Sequence, residues 1–541
     1  MFNFPLFTSK KNTIQAACFL LLTAIFSLIY TQAPLYTSNQ NLYFLYGLAN
    51  AARGSLSADW LANTTDPTPL FSIMVRLLAS LPAGETGFYL LYALLQGVYL
   101  INILGILDYL FDLRPTAVDW QALLGRSPDG NAPRAARALV ILSAVLLLHS
   151  AALRFAFSIF LGGDWIYLLE GGVAGQRVLG VVLQPSVFAV FLVASINLGL
   201  RRRWIPAVLC AALAATFHPT YLLAAALLTI IWMFQQWQTS AAVIGSWSKP
   251  ASWRCALLSG GLALICISPI LFITAAGFTN TTAAEATAAR DVLVNFRFPY
   301  HARPEVWWNT TVVVKLIICA LALWLMRNSR LFFVMAVLSL AALSLTILQI
   351  LTASTTLALL FPWRLSILIV PLSASTLTVW GICAFWQRLN PNIKSLRLIS
   401  AACIMLIVIL MGIGAIRFKL DFERKAAAQD RSVALFASHN LSAKSMVLVP
   451  VKMEDFRINA GLPVYVDFKS HPYRGEEVLE WYRRMQLATR FYNKKDCLAL
   501  KQIIAEGASY VVIPSAETLN CPQSGQILTT DSAYRLIILK R

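Results

Sequence analysis

Several stretches of this chain set charged or titratable side chains beside aromatics and glycines, as a polar site next to a membrane requires. Asp59 stands in Ser57-Ala58-Asp59-Trp60. An acid beside an aromatic at an interface suits a general base that receives a proton from an amphipathic acceptor. The competing reading of Asp59 is a helix cap or a solvated loop acid. Asp66-Pro67 reads first as a turn or helix start. A second stretch, Gly162-Gly163-Asp164-Trp165 followed by Glu170-Gly171-Gly172 and Gln176-Arg177, packs two acids and several glycines into a short span of chain. Glycine lets the backbone approach a ligand closely. Asp164 or Glu170 would there orient an acceptor or hold a divalent metal, Mg2+ or Mn2+, which oxygen ligands suit. Nothing in the sequence requires a metal.

The cations come later. Arg297-Phe298-Pro299-Tyr300-His301-Ala302-Arg303 precedes Trp307-Trp308, and Phe361-Pro362-Trp363-Arg364 opens another apolar run. Arginines beside a histidine at headgroup depth would grip a lipid phosphate or pyrophosphate. The plainer reading is an aromatic belt with snorkelling cations. His218-Pro219 interrupts an apolar stretch; an ionisable residue there is costly and often functional, but a neutral histidine bonded to a carbonyl freed by the proline also accounts for it.

These residues must be positioned by membrane helices. The 541-residue chain is 58% hydrophobic, only 13% charged, and has a mean hydropathy of +0.66. A span needs about 20 apolar residues. Expected spans are 13–31, 86–111, 136–157, 178–200, 255–276, 310–326, 331–352, 365–386 and 398–416, with 205–235 crossing and returning at His218-Pro219, about 11 crossing elements in all. Segment 68–82 is short, carries Arg76 and reads as interfacial or re-entrant. Lys10 and Lys11 precede the first apolar run and no small-residue cleavage site follows it, so an uncleaved first span is expected.

The net charge of +19 does not indicate a nucleic-acid partner, because the basic residues are dispersed over short loops and the tail. Lys10/Lys11, Arg114/Arg126/Arg134/Arg137, Arg201–Arg203, Lys249/Arg254, Arg327/Arg330 and Arg388/Lys394/Arg397 fall on alternate sides of successive spans. By the positive-inside rule these loops and the N-terminus are cytoplasmic. Loops 32–85, 158–177 and 277–309 and the tail then lie on the outer face, periplasmic for the bacterial inner membrane expected here and lumenal in a eukaryote.

The organisation is thus a polytopic α-helical membrane domain, 1–416, followed by a small periplasmic α/β domain, 417–541. In the tail the pattern predicts strands at 446–451, 464–468 and 509–514, helices at 476–492 and 497–507, and a hairpin near 526–539. It contains no P-loop, GxGxxG or GxSxG. Seven cysteines lie in apolar runs; Cys497 and Cys521 lie in the tail and would be free to pair outside the cytoplasm.

Asn39-Gln40-Asn41-Leu42-Tyr43 in the first outer loop, His218-Pro219-Thr220-Tyr221, and the Arg297, Pro299, His301 spacing, set on this architecture, resemble the GT-C glycosyltransferase superfamily, and within it uncharacterised bacterial multi-span members. The resemblance covers most of the chain and lies more in architecture than in motif. It implies transfer of a sugar from a polyprenyl phosphate or pyrophosphate carrier, with an acid of the first outer loop as base or metal ligand. Many members carry an acidic pair soon after the first span; here that stretch is Ser38-Asn39-Gln40-Asn41, so either Asp59 or Asp164 takes the role, or the chain keeps the scaffold without the transferase activity. The function expected is therefore transfer from a polyprenyl-linked sugar donor to a glycan or lipid acceptor, with Arg297, His301, Arg303 and Arg364 on the carrier phosphate. A transporter or flippase would show internal repeats and midplane charges, whereas the spans are nearly free of acids apart from Asp108. A non-catalytic envelope-assembly factor would use the tail as its binding module.

Overall fold

The computed structural model describes residues 10–244, 250–278, 281–389 and 391–540. Lys249 and residues 279–280 of the expected third loop lie outside the described residues. The chain folds as a polytopic helical membrane protein with a small mixed sheet near its C-terminus. Among the described residues seven helices are long and apolar enough to cross a bilayer: Thr13–Tyr30, Gly84–Phe111, Pro219–Thr239, Trp253–Ala275, Arg330–Thr352, Thr355–Arg388 and Ile393–Ala426. The pair Ala132–Leu148 and Ala151–Phe160, bent by 53°, is long and apolar enough together to make an eighth span or a re-entrant loop. At the bend Ser150 Oγ accepts from Leu153 N at 3.0 Å, so a side chain supplies the partner that the helix start lacks. The other expected crossings are shorter apolar helices, Pro185–Leu200, Trp204–Phe217 and Thr310–Leu325.

Local chemistry explains the breaks. Helix Trp204–Phe217 stops at His218, which is extended (φ −143°, ψ 103°), because the residue before a proline is pushed out of helical space. Pro269 sits inside helix Pro250–Phe278 and cannot donate to Ile265 O. The Ser268 hydroxyl donates to that carbonyl at 2.9 Å instead, which a membrane interior demands. Helix Pro69–Ala79 buries Phe71 and Val75 and exposes Ile73 and Leu77, the two-faced pattern of a helix at an interface.

Helix Gly84–Phe111 runs from the face bearing the C-terminal domain to the opposite face. There Asp108 pairs with Arg114 (2.7 Å) and Arg201 (2.9 Å), which accounts for the one acid expected inside a span. Helix Ile393–Ala426 continues without a break past residue 416, rising from the membrane helices towards the C-terminal domain. That domain has strands β1 (Met446–Leu448), β2 (Ala508–Pro514), β3 (Ser524–Thr530) and β4 (Tyr534–Leu539) in the order β1-β2-β4-β3. The first pair is parallel and the others antiparallel. Helices Gly475–Lys494 and Cys497–Ala505 pack on the sheet through Trp481, Met485, Leu500 and Ile503. Of the expected strand at 464–468 only an isolated bridge, Val447 to Val464, forms, because the chain turns away towards the membrane helices. Cys497 and Cys521 are joined in a disulfide with Cα atoms 5.4 Å apart.

Candidate functional site

The C-terminal domain is locked onto the loop that follows the first span. Asp59 is fully buried (0% exposed) and accepts from Leu61 N (2.8 Å), Val464 N (2.8 Å) and Arg457 Nε (2.9 Å). Arg457, 3% exposed, also pairs with Asp467. Two carboxylates around one guanidinium raise the Arg457 pKa even against the cost of burial. Ser55 N donates to Gly461 O at 2.8 Å, Asn41 Nδ2 to Asp455 at 2.5 Å, and Thr65 N to Glu477 at 3.0 Å. Gly54 (φ +55°) and Gly461 (φ +65°) face each other at this seam. A Cβ on Gly54 would lie 2.5 Å from Gly461 O, so the contact admits no side chain.

Between this seam and the membrane helices lies a cavity of about 370 Å³, within the range of small-ligand sites. One wall is apolar: Leu222 and Leu223 from the span after His218, and Ile270 and Ile273 just past Pro269. The opposite wall carries Asp66, His218, His301, Arg364, Tyr473 and Arg474. The first loop, the His218 break, the 299–302 helix, the start of Ser366–Arg388 and the C-terminal domain each supply part of it.

Arg364 is set by its local fold. Phe361 adopts a left-handed backbone (φ +49°) ahead of Pro362, and the turn 362–365 that follows brings the guanidinium to the cavity. A bulky residue in that conformation is strained, and such strain gathers where a site must be held. Arg364 Nη1 donates to His218 Nε2 at 3.0 Å and to Thr220 Oγ1. A guanidinium only donates, so His218 accepts and its own proton sits on Nδ1. His218 Nδ1, Arg364 Nε and Arg474 Nε are all buried and find no hydrogen-bond partner among the described residues. Three unspent donors on two cations and a neutral imidazole, at the end of an apolar wall, ask for an anion with an apolar body.

His301 donates from Nδ1 to Ala174 O at 2.7 Å, which leaves Nε2 towards the cavity. Burial lowers its pKa to about 4, so it is neutral at physiological pH. Asp66 is the one carboxylate among the described residues lining the cavity. Its Oδ1 accepts from Thr68 N at 2.9 Å ahead of Pro69, the turn element read from the sequence. Burial raises its pKa above the usual carboxylate value, which brings it closer to that of a working base.

The other sequence candidates lie elsewhere. Glu170 is 7% exposed and pairs with buried Arg154 at 2.9 Å, which in turn donates to Tyr30 O. Its loop is bolted to the bundle, with Lys315 Nζ on Gly172 O (2.8 Å) and Val173 N on Ser366 Oγ (2.7 Å). Asp164 is exposed in a short turn where a Cβ added to Gly162 or Gly163 would meet nothing within 4 Å. The two acids thus supply no common donor set for a divalent ion, and among the described residues no group of three or more His, Cys, Asp or Glu could hold one. Arg297 donates to His471 Nδ1 (3.1 Å) and Lys469 O (2.9 Å), a seam contact outside the cavity lining. Arg303 pairs with Glu305 at 2.7 Å on the surface. A larger hollow of about 580 Å³ beside Arg53 and Glu85 has its charges closed on each other at 3.7 Å and lacks a set of unspent donors.

The structure therefore brings His301 and Arg364 together, and joins to them His218, Asp66, Tyr473 and Arg474. In sequence Tyr473 closes a run dense in aromatics and charge, Tyr465 to Tyr473, that suits sugar or headgroup recognition or docking onto membrane loops, but the run does not show which side chains reach the membrane helices, and Arg474 carried no signal. A family model described as a domain of unknown function (DUF6798) matches residues 428–488, the segment that holds Arg457, Tyr473 and Arg474. No curated protein matches. The solved structure of ArnT from Cupriavidus metallidurans in the apo state is similar over 98% of both chains, at 14% sequence identity and a TM-score of 0.41.

Proposed function

We propose that the protein is a membrane glycosyltransferase that moves a sugar from a polyprenyl-phosphate carrier to an acceptor hydroxyl at the membrane face bearing the C-terminal domain. The observation that carries this reading is the cavity itself: an apolar wall of membrane helices ending in three buried, unspent donors on Arg364, Arg474 and His218, with Asp66 beside them. The isoprenoid lies along Leu222, Ile270 and Ile273. The phosphate sits at the Arg364 guanidinium, with Arg474, whose Nη2 is held by Glu476 at 2.5 Å, offering its Nε beside it. The acceptor hydroxyl gives its proton to the Asp66 carboxylate while its oxygen bonds to the sugar C1. The bond from C1 to the phosphate oxygen breaks, its electron pair stays on the phosphate, and the arginines stabilise the charge that develops there. Asp66 then returns its proton to water. His301, neutral through Ala174, offers Nε2 to a sugar hydroxyl.

Two features support a periplasmic location for this face. A disulfide between Cys497 and Cys521 persists in oxidising compartments. Basic residues crowd the opposite face, where Arg114, Arg134 and Arg201 lie at the far end of helix Gly84–Phe111. In this reading Asp59 is a positioning residue, because its carboxylate is spent on the seam.

The test is binding of decaprenyl phosphate to the full chain in nanodiscs, followed by native mass spectrometry. Binding weakened about tenfold or more by Arg364→Ala, with the free prenyl alcohol bound poorly by both proteins, supports the reading. Equal binding of alcohol and phosphate overturns it.

A further inference from the structure

A third hollow, about 540 Å³ in volume, lies between the C-terminal domain and Phe296 and plays no part in the chemistry above. It lies along one face of helix Gly475–Lys494. Tyr482, Gln486 and Thr489 fall at i, i+4 and i+7, with Arg483 and Arg490 alongside, and Gln502 and Phe296 close the sides. Phe296 is 38% exposed and meets the Tyr482 ring edge-on at 5.1 Å, so two aromatic surfaces form one corner. Among the described residues the Gln486 amide and the Tyr482 hydroxyl make no hydrogen bond within the protein. Gln502 makes only a long one, 3.4 Å, to Glu506.

The charges of the hollow decide its ligand. Both arginines are already neutralised. Arg483 is forked between Glu480 (2.7 Å) and Glu506 (2.8 Å), and Arg490 is held by Asp496 at 2.5 Å. An anion would find no free cation here, unlike in the cavity at Arg364. What remains is an apolar lining of Met485, Leu487 and the Phe296 and Tyr482 rings, edged by the Gln486 and Gln502 amides and the Tyr482 and Thr489 hydroxyls, each able to donate and accept. That chemistry matches a neutral, hydroxyl-rich ring system: sugar C–H faces against the aromatics, and hydroxyls on the amides.

The groove and the reaction cavity are separated by one wall of packed rings. Phe296 and Phe298 belong to one segment, and Phe298 lines the cavity while Phe296 lines the groove. Between them runs a ring ladder, Phe296 to Trp481 (5.8 Å), Trp481 to His471 (5.9 Å) and His471 to Phe298 (4.9 Å). We infer that this groove binds a neutral oligosaccharide, the glycan portion of the acceptor, and holds it while its growing end enters the cavity. The acceptor role rests on the transferase reading; the binding of a neutral oligosaccharide does not.

The probe is a panel of neutral hexasaccharides (maltohexaose, cellohexaose, chitohexaose and mannohexaose) with a heparin-derived hexasaccharide as the anionic arm. Each is offered to the full chain in nanodiscs and followed by saturation-transfer NMR. Expected is binding of at least one neutral sugar at about 1 mM, the weak end of specific recognition, reduced tenfold or more by Gln486→Ala and by Tyr482→Ala and unchanged by Arg364→Ala. Gln486 is exposed, so its truncation tests the groove with the fold intact. Failure of every neutral sugar, preference for the sulfated one, or binding indifferent to Gln486→Ala overturns the inference. Groove binding in a protein whose Asp66→Asn variant leaves every glycan unchanged would keep the groove and remove the transferase.

Discussion

Substituting Asp59 by asparagine separates holding the seam from doing the chemistry. The carboxylate spends both oxygens on three donors, one on Leu61 N and the other on Arg457 Nε and Val464 N. Asparagine keeps the shape, removes the charge, and turns an NH2 group towards at least one of those donors. Leaving a buried donor unpaired costs about 1–3 kcal/mol, and breaking a buried ion pair about 3–5 kcal/mol. Asp467 still neutralises Arg457, so the low end applies, about 3 kcal/mol, or roughly a hundredfold in the equilibrium between docked and undocked domain. The assay is denaturant titration of the purified chain followed by the fluorescence of Trp60 and Trp481, with protease cleavage at the seam as the second readout. The expected result is a lower midpoint and faster cleavage, with the turnover of the intact fraction preserved. An Asp59→Asn protein with an unchanged midpoint and no transfer would refute this reasoning and make Asp59 the base.

Asp66→Asn is expected to lower transfer a hundredfold or more, the usual scale for losing a general base, with no change in seam proteolysis. Because burial raises the Asp66 pKa, the acidic limb of kcat/KM should fall at a pH above the ordinary carboxylate range; a limb at the ordinary value would contradict the assignment. His301 gives a stability signature: its folded pKa, about 4, lies below its unfolded value of 6.5, so the unfolded chain binds the proton first. Stability should therefore drop as pH falls from about 6.5 to about 4, and His301→Gln should flatten that slope in thermal unfolding. Reducing the Cys497–Cys521 bridge, which closes a separation of 24 residues, should cost the C-terminal domain about 3 kcal/mol in denaturant titration and leave decaprenyl phosphate binding unchanged.

The membrane helices were legible because apolar length is a local property that a bilayer reads directly. The break at His218-Pro219 was legible for the same reason: the proline acts on its neighbour whatever surrounds it. Three of the expected spans prove to be shorter helices, Pro185–Leu200, Trp204–Phe217 and Thr310–Leu325, because buried bundle helices need not span the full hydrocarbon thickness. The site was harder to read. Asp59 next to Trp60 and Asp66 next to Pro67 differ little as patterns, and only the partner 398 residues away, Arg457, separates the spent acid from the one left facing the cavity. Glu170 looks like a loop acid until Arg154 is folded against it. Tyr473 and Arg474 reach the cavity because helix Gly475–Lys494 starts at the seam, a tertiary fact with no sequence period.

The most direct measurement is the envelope glycan and lipid profile, by mass spectrometry, of cells carrying the wild-type chain, Asp66→Asn, Arg364→Ala or a deletion. The account predicts that the deletion and both variants lose the same glycosylated species while both proteins insert and resist proteolysis as the wild type does. Normally inserted variants with the wild-type profile, beside a deletion that loses the species, would contradict a transferase site in this cavity.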